Sequence, residues 1–303
     1  MQANYSKISP KVHETVLREE VTEYLSIQPG KKFIDATLGT AGHSLDIVSA
    51  GAKVLGIDID PEMIALAKTR LTEVFPKGDC FTLVCGNFRK IDGIAKEADY
   101  EAVDGIIFDL GVSNIHLKDD KRGFSFENAE TELDMRLNPQ DQGVSASELL
   151  NVLRQDQLRE LFEITMDPGA AVWLSRRVVS AREVTPFKTV GDFLAVTRGI
   201  RTKPGLNPAT LPMLALRIAV NTELENLVEA LPKAFELLGK EGKLVVISFH
   251  SGEDRLVKEF FRETENSKKG EILTKDVVVA AEGEILKNPR ARSAKMRVLQ
   301  KNV

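Results

Sequence analysis

FIDATLGTAGHS, residues 33–44, sets an apolar pair before an acid, two glycines three apart and a histidine. An apolar run that ends in an acid and then turns on glycine is how a buried strand brings its carboxyl end to a ligand. Three more runs repeat the pattern: Val54 to Ile57 before Asp58, Phe81 to Val84 before Cys85-Gly86-Asn87-Phe88, and Val103 to Phe108 before Asp109. Between the second and third, PEMIALAKTRLTEVF puts Pro61 in a first helical turn and Ile64, Ala67, Leu71 and Val74 or Phe75 on one apolar face. Strands alternating with helices predict an α/β fold, a doubly wound and mostly parallel sheet with helices on its faces.

The rhythm breaks after Val112. Residues 113–142 are polar, and Ser145 with Glu148 forms a capping box that opens a helix bearing Leu149, Val152 and Leu153. Leu158, Leu161 and Phe162 mark a second helix, and no strand pattern follows as far as Pro212. Residues 143–212 therefore read as a helical insertion between an N-terminal part, 1–142, and a C-terminal part, 213–303. In the latter a long helical pattern is interrupted at Pro232 and capped by Gly239, and KLVVISFHS supplies another buried strand.

The 303 residues are 43% hydrophobic and 28% charged, enough to fill one large core or two modest ones. The polar start, MQANYSKISPKV, lacks the apolar core of a leader, and no stretch is long enough to span a bilayer, which predicts a cytosolic protein. Cys80 and Cys85 fall in a strand-like run and are expected to be buried reduced thiols, with no zinc pattern around them. Net charge is −4, yet Lys287, Arg290, Arg292, Lys295, Arg297 and Lys301 follow Glu284 with no acid among them.

Ligands of an open parallel sheet lie beyond the carboxyl ends of its strands, so Asp35, Gly39, Gly42 and His43 face the first candidate site. The two glycines let backbone amides approach a ligand. Asp58, about 20 residues on, is where a carboxylate accepts both hydroxyls of a ribose, so the ligand carries a nucleoside. A pyrophosphate binder shows Gly-x-Gly-x-x-Gly, whereas Thr37 takes the first glycine position here and Asp35 would repel a diphosphate. A carboxylate suits a sulfonium or an amino group. Asn87 and Phe88 are placed to read and stack on adenine, and Asp109 reaches the same rim. S-adenosyl-L-methionine is therefore favoured over a nicotinamide dinucleotide.

Ordered motifs extend this reading. His13-Glu-Thr-Val-Leu, Asp35-Ala-Thr-Leu-Gly-Thr-Ala-Gly-His-Ser, Asp109-Leu-Gly-Val-Ser, Arg122-Gly-Phe-Ser-Phe, Leu133-Asp-Met-Arg, Asn207-Pro-Ala-Thr, Ile247-Ser-Phe-His-Ser and Asn288-Pro-Arg-Ala-Arg-Ser run from about residue 10 to the tail. Together they resemble the RsmH family, formerly MraW, of bacterial small-subunit ribosomal RNA cytosine-N4 methyltransferases. The resemblance implies a class I, Rossmann-like methyltransferase fold with a helical substrate-recognition insertion. It also implies S-adenosyl-L-methionine as cofactor and methylation of the exocyclic amine of a decoding-region cytidine. Its cofactor positions fall on Ala41, Gly42, His43, Asp58, Phe88 and Asp109. The chain departs at His116, where the family usually has glutamine, a further cofactor contact. It departs again at Gly169-Ala170-Ala171 for Gly-Glu-Glu and at Leu211-Pro212-Met213-Leu214 for Arg-Thr-Phe-Gln. A relative with another RNA target, and a non-enzymatic ribosome-assembly factor on the same fold, stay open.

For the chemistry, Asp109 is the candidate catalytic residue, orienting an amine whose lone pair is delocalised into the cytosine ring; positioning then supplies much of the rate. Phe124 and Phe126 either stack on an extruded base or pin their loop to the core. His250 either touches substrate or caps the next helix, and His13 stands similarly; a Ser-His-Asp hydrolase is excluded by the missing elbow glycines. Arg290 and Arg292, with Arg297, are the candidate phosphate contacts, whereas Trp173 reads as packing and Arg176-Arg177 as a solvated face. The expected partner is small-subunit ribosomal RNA or the assembled subunit, with monomer and homodimer both open.

Overall fold

The structure is a computed structural model and describes residues 15–118 and 121–302. In chain order the elements begin α1 (Arg18–Leu25), β1 (Lys32–Asp35), α2 (Gly42–Ser49), β2 (Lys53–Asp58), α3 (Pro61–Val74), β3 (Phe81–Cys85), α4 (Ile91–Glu97) and β4 (Val103–Asp109). Next come α5 (Asn114–Lys118), α6 (Ala146–Val152), α7 (Gln155–Glu163), α8 (Pro168–Arg182), α9 (Val190–Thr197) and α10 (Thr210–Asn221). The chain continues through α11 (Glu223–Leu237), β5 (Leu238–Ser248), α12 (Ser251–Asn266), β6 (Gly270–Ile272), α13 (Glu282–Lys287) and β7 (Lys295–Lys301). Contacts divide it into two compact units, Met1–Gly111 with Asn226–Val303, and Val112–Glu225.

In the first unit one sheet runs in the order β3-β2-β1-β4-β5-β7-β6. Strands β1 to β5 pair in parallel, and β7 lies antiparallel between β5 and β6. The order reverses at β1, which has β2 on one side and β4 on the other, the switch point at which such sheets take ligands. Both faces are covered: Ile34, Leu55, Phe108 and Val246 pack toward α4, α11 and α12, while Phe33, Val54, Ile107 and Ile247 pack toward α1 and α2. Two-sided burial is why these strands read as continuous apolar runs. Helix α3 starts where Pro61 predicts, with the Asp60 carboxylate accepting from Glu62 N at 2.8 Å and Met63, Ala67 and Leu71 buried.

Several expectations change. Cys80 is only half-buried and Cys85 exposed, because β3 is an edge strand with one side uncovered; neither forms a disulfide among the described residues. Pro232 sits inside α11, where burial of Leu227, Ala230, Leu231, Ala234 and Phe235 outweighs the one bond proline removes. The break comes instead at Thr222, left-handed at φ 48°, and Gly239 belongs to β5 rather than to a cap. Half of the basic tail is strand β7: Met296, Val298 and Leu299 are buried, and Arg297 bonds Asp254 at 2.8 Å.

The second unit is all-helical and wider than residues 143–212. The polar stretch before Ser145 contributes Phe124, Leu133 and Met135 to its core beside Leu150, Phe162, Leu174, Phe193 and Leu216. Asn221, 2% exposed, fastens that stretch to α10, accepting from Leu137 N at 3.1 Å and donating to Met135 O at 2.9 Å. The Ser145–Glu148 capping box is present at α6. Among the described residues no helix is long and apolar enough to cross a membrane.

Phe193 is fully buried and stacks on Phe162 with centroids 6.2 Å apart, whereas Val152 is 77% exposed. Phe193→Ala is expected to cost about 3–5 kcal/mol by urea unfolding and Val152→Ala within about 0.5 kcal/mol, a contrast that equal losses would contradict.

Candidate functional site

Three neighbouring strand ends, those of β2, β1 and β4, carry Asp58, Asp35 and Asp109, and the turn after β1 runs between them. Two hydrogen bonds tie that turn sideways. Gly39 N donates to Asp58 Oδ2 at 2.7 Å, and Asp109 N donates to Thr37 Oγ1 at 2.6 Å. Leu38 N adds a bond to Ile57 O at 2.9 Å. Asp35, 1% exposed, accepts from Ser44 Oγ at 2.7 Å and from Thr37 N at 3.4 Å, so it fixes the start of α2 to the end of β1. It supports the rim rather than lining it.

The two glycines serve different ends. Gly39 has φ +50°, and a Cβ there would meet nothing nearer than Thr37 O at 4.0 Å, which leaves its backbone open to a ligand. A Cβ on Gly42 would lie 1.8 Å from Thr15 Oγ1, so this glycine admits the incoming N-terminal segment. Ala41 between them is left-handed at φ 64° and fully buried.

His43, 5% exposed, and Asp109 face each other with Nε2 3.7 Å from Oδ2, beyond hydrogen-bond length. Neither His43 Nε2 nor Asp109 Oδ1 has a partner among the described residues although both atoms are buried. Buried polar atoms require partners, and this facing pair is suited to a polar group that donates to one and accepts from or donates to the other. Asp58 accepts from Gly39 N and, at 2.9 Å, from Asp60 N, which turns its carboxylate toward the same rim. Phe88 lies one strand further out, half-buried and edge-on to Phe108 at 5.5 Å. Asn87 is occupied differently than expected: its Oδ1 accepts from Arg89 N at 2.9 Å. A ligand matching this set carries hydroxyls at the Asp58 end and a cationic, hydrogen-donating centre at the Asp109 end, which is the chemistry of S-adenosylmethionine.

The remaining candidates lie elsewhere. His116 belongs to the second unit, 4% exposed, with Nδ1 accepting from Ser113 N at 3.0 Å and its ring 5.6 Å from Phe124. Phe124, 6% exposed, packs into that unit's core, while Phe126 is 37% exposed. His250 caps α12, its Nδ1 accepting from Glu253 N at 3.4 Å. Arg290 and Arg292 occupy a short 3-10 turn, Pro289–Ser293, that leads into β7. Because Lys295 of β7 pairs with Ser248 at the end of β5, this turn stands at the same carboxyl edge as the three acids. Arg297 is removed from the phosphate candidates by its pairing with Asp254. Trp173 is only partly packed: it is 37% exposed and lies under the Arg177 guanidinium at 4.8 Å. His13 lies outside the described residues.

Sequence reasoning passed over Thr37 and Ser44, whose hydroxyls fasten the turn, and Gly56, whose missing side chain makes room for Leu38. The signal was present in Thr37, which stands where a dinucleotide binder has glycine, and in a glycine set within an apolar strand.

The chain matches the family model described as the MraW methylase family over residues 10–302. Two relatives, each called ribosomal RNA small subunit methyltransferase H, are 40% identical to it. That of Methylacidiphilum infernorum aligns over 95% of this chain and 94% of its own. That of Coprothermobacter proteolyticus aligns over 96% of both. A third of the same name, from Dehalococcoides mccartyi, is 38% identical over 95% of this chain and 86% of its own.

Burial pushes the Asp35 carboxyl above its ordinary 3.8, against the opposing pull of His43, the Ser44 hydroxyl and the Thr37 amide. The folded protein therefore holds that proton more tightly than the unfolded chain. This stabilisation is complete below the ordinary value and is lost as pH rises through the raised one. Asp35→Asn, neutral throughout, escapes the loss, so its urea midpoint should gain on wild type as pH goes from about 4 to about 7; a gap independent of pH would refute the account.

Proposed function

The chain belongs to the MraW methylase family, and from that premise we propose that it methylates the exocyclic N4 of a decoding-region cytidine in small-subunit ribosomal RNA. It is a methyltransferase, and S-adenosyl-L-methionine is its cofactor. The observation that carries the site is the pair of orphaned buried atoms, His43 Nε2 and Asp109 Oδ1, between the first and fourth strand ends. A nicotinamide dehydrogenase finds no diphosphate cradle here, and a scaffold without catalysis is not favoured by the family.

In this reading Asp58 holds the ribose hydroxyls, Phe88 lies along the adenine, and the backbone at Gly39, Ala41 and Gly42 closes over the amino-acid end with His43. When bound, the cofactor supplies a sulfonium methyl group as the electrophile. The protein's task is to present the amine. Asp109 Oδ1 and backbone carbonyls at the end of β4 accept the hydrogens of N4, which holds its lone pair in line without a strong base before transfer.

For substrate, Phe126 offers the exposed ring that stacks on a base, since Phe124 is committed to the core. Arg290 and Arg292 contact backbone phosphate, and His250 positions the loop before α12 by capping it. A ribosomal RNA substrate puts the enzyme in the cytoplasm, with either free RNA or the assembled small subunit as its partner.

Two measurements test this. Asp58→Ala removes charged hydrogen bonds of about 1.5–3 kcal/mol, so calorimetry should find S-adenosylmethionine bound roughly ten- to a hundredfold more weakly. Asp109→Ala should lower methyl transfer to small ribosomal subunits, taken from a strain lacking the enzyme, by about a hundredfold or more while the unfolding midpoint holds. Nucleoside mass spectrometry identifies the product, and wild-type turnover by Asp109→Ala, or a methyl on another nucleoside, would overturn the assignment.

A further inference from the structure

Beyond β7, on the side away from β5, the first unit contains a cavity of about 280 Å³. Its polar lining is Lys258 and Arg262 from α12, Thr274, Lys275 and Asp276 from the segment after β6, and Arg297 from β7. Lys258 and Arg262 are four residues apart on one helix, a spacing at which like charges repel. Neither of them, nor Lys275, makes an ion pair with a described residue. Arg297 already holds Asp254, and Asp276 is the single carboxylate of the lining. Thr274, 3% exposed, accepts from Val298 N at 3.0 Å and so keeps its hydroxyl hydrogen to donate.

Three cations without a described ion pair, Lys258, Arg262 and Lys275, with a hydroxyl donor and a single carboxylate around one concavity of a chain with net charge −4, make a place for a group with several anionic oxygens. Arg297 pairs with Val246, whose side chain packs toward α12, whereas Asp109 pairs with the next residue, Ile247, so the cavity lies on the opposite face of the sheet from the Asp109 side chain. Phosphate contacts fix the register of a nucleic acid away from the base that is read. We propose that the cavity binds a phosphate of the substrate RNA backbone, a subsite separate from the cofactor rim and from Arg290 and Arg292. The assignment rests on the RNA-methylating reading above.

The test uses the full chain and the double variant Arg262→Ala/Lys275→Ala, with a fluorescein-labelled single-stranded RNA as the anisotropy probe at several salt concentrations. The variant should bind this RNA about tenfold more weakly at moderate salt, and its slope of log affinity on log salt should fall by about 0.7 for each contact removed. S-adenosylmethionine affinity by calorimetry should stay at the wild-type value, which shows that the sheet is intact. Equal RNA affinity and equal slope in variant and wild type would overturn the subsite while leaving the methyltransferase reading untouched. A wild type that binds and methylates no RNA would instead sink the underlying reading. Inorganic phosphate and adenosine monophosphate form the second arm: if either binds wild type tightly and the variant weakly while RNA binding is unchanged, the cavity serves a free small anion and the RNA assignment fails.

Discussion

The Asp58 carboxylate reaches back across the sheet to the Gly39 amide, 2.7 Å away, and the geometry of the ligand rim follows from that bond. With the Thr37 hydroxyl on the other side, it stretches the turn after β1 across three parallel strand ends. A turn so held cannot relax into solvent when the ligand leaves, so its open backbone at Gly39 is in place beforehand. Such preorganisation lowers the ordering cost of binding. The clamp needs space beneath it: Leu38 lies over Gly56, where a Cβ would come within 2.7 Å of its Cδ1. A glycine in the middle of a buried strand is otherwise a weakness, and its occurrence in β2 is explained by this close approach.

Charge is handled differently in the two units. In the first, Asp35 is buried under its own desolvation cost and partly compensated by hydrogen bonds, while Asp109 keeps an oxygen without a protein partner. That is the pattern of a site that waits for a ligand. In the second, Asp134 and Arg136 bond through two oxygens at 2.7 and 2.8 Å, and although burial alone would raise the Asp134 carboxyl, the guanidinium holds it below its usual value. Its polar groups are paired for structure. The departures from the family pattern agree with this division: Ala171 is fully buried in α8 and Pro212 is buried in α10, so two positions that are usually polar are spent here on core packing.

Four strands, their order of appearance, the crossover helix and the acids at the strand ends were legible because each is a local property: an apolar run, a glycine, a carboxylate at fixed spacing. What escaped is long-range. That β3 is an edge strand, and so exposes Cys85, depends on which strand pairs with which. The pairing of Arg297 with Asp254 joins residues 43 apart, so a tail without acids of its own looked uncompensated. The polar stretch before Ser145 looked like loop because its apolar anchors Phe124, Leu133 and Met135 have no helical or strand period, yet they complete the second core. At the site, sequence supplied the rim residues but not their division of labour: Gly39 yields to the ligand, Gly42 yields to Thr15.

Strand β7 follows β6 in the chain but lies between it and β5 in the sheet. The second unit, by contrast, is one uninterrupted segment inserted between the halves of the first. A ribosome making this protein therefore finishes the helical unit while the sheet still lacks β5, β6 and β7, and β6 has no neighbour to join until residues 295–301 emerge. Long sequence separation between partners slows assembly, and contiguous helical segments form early. The translational timetable thus leaves the β5 edge open until residues 295–301 have emerged to seal it.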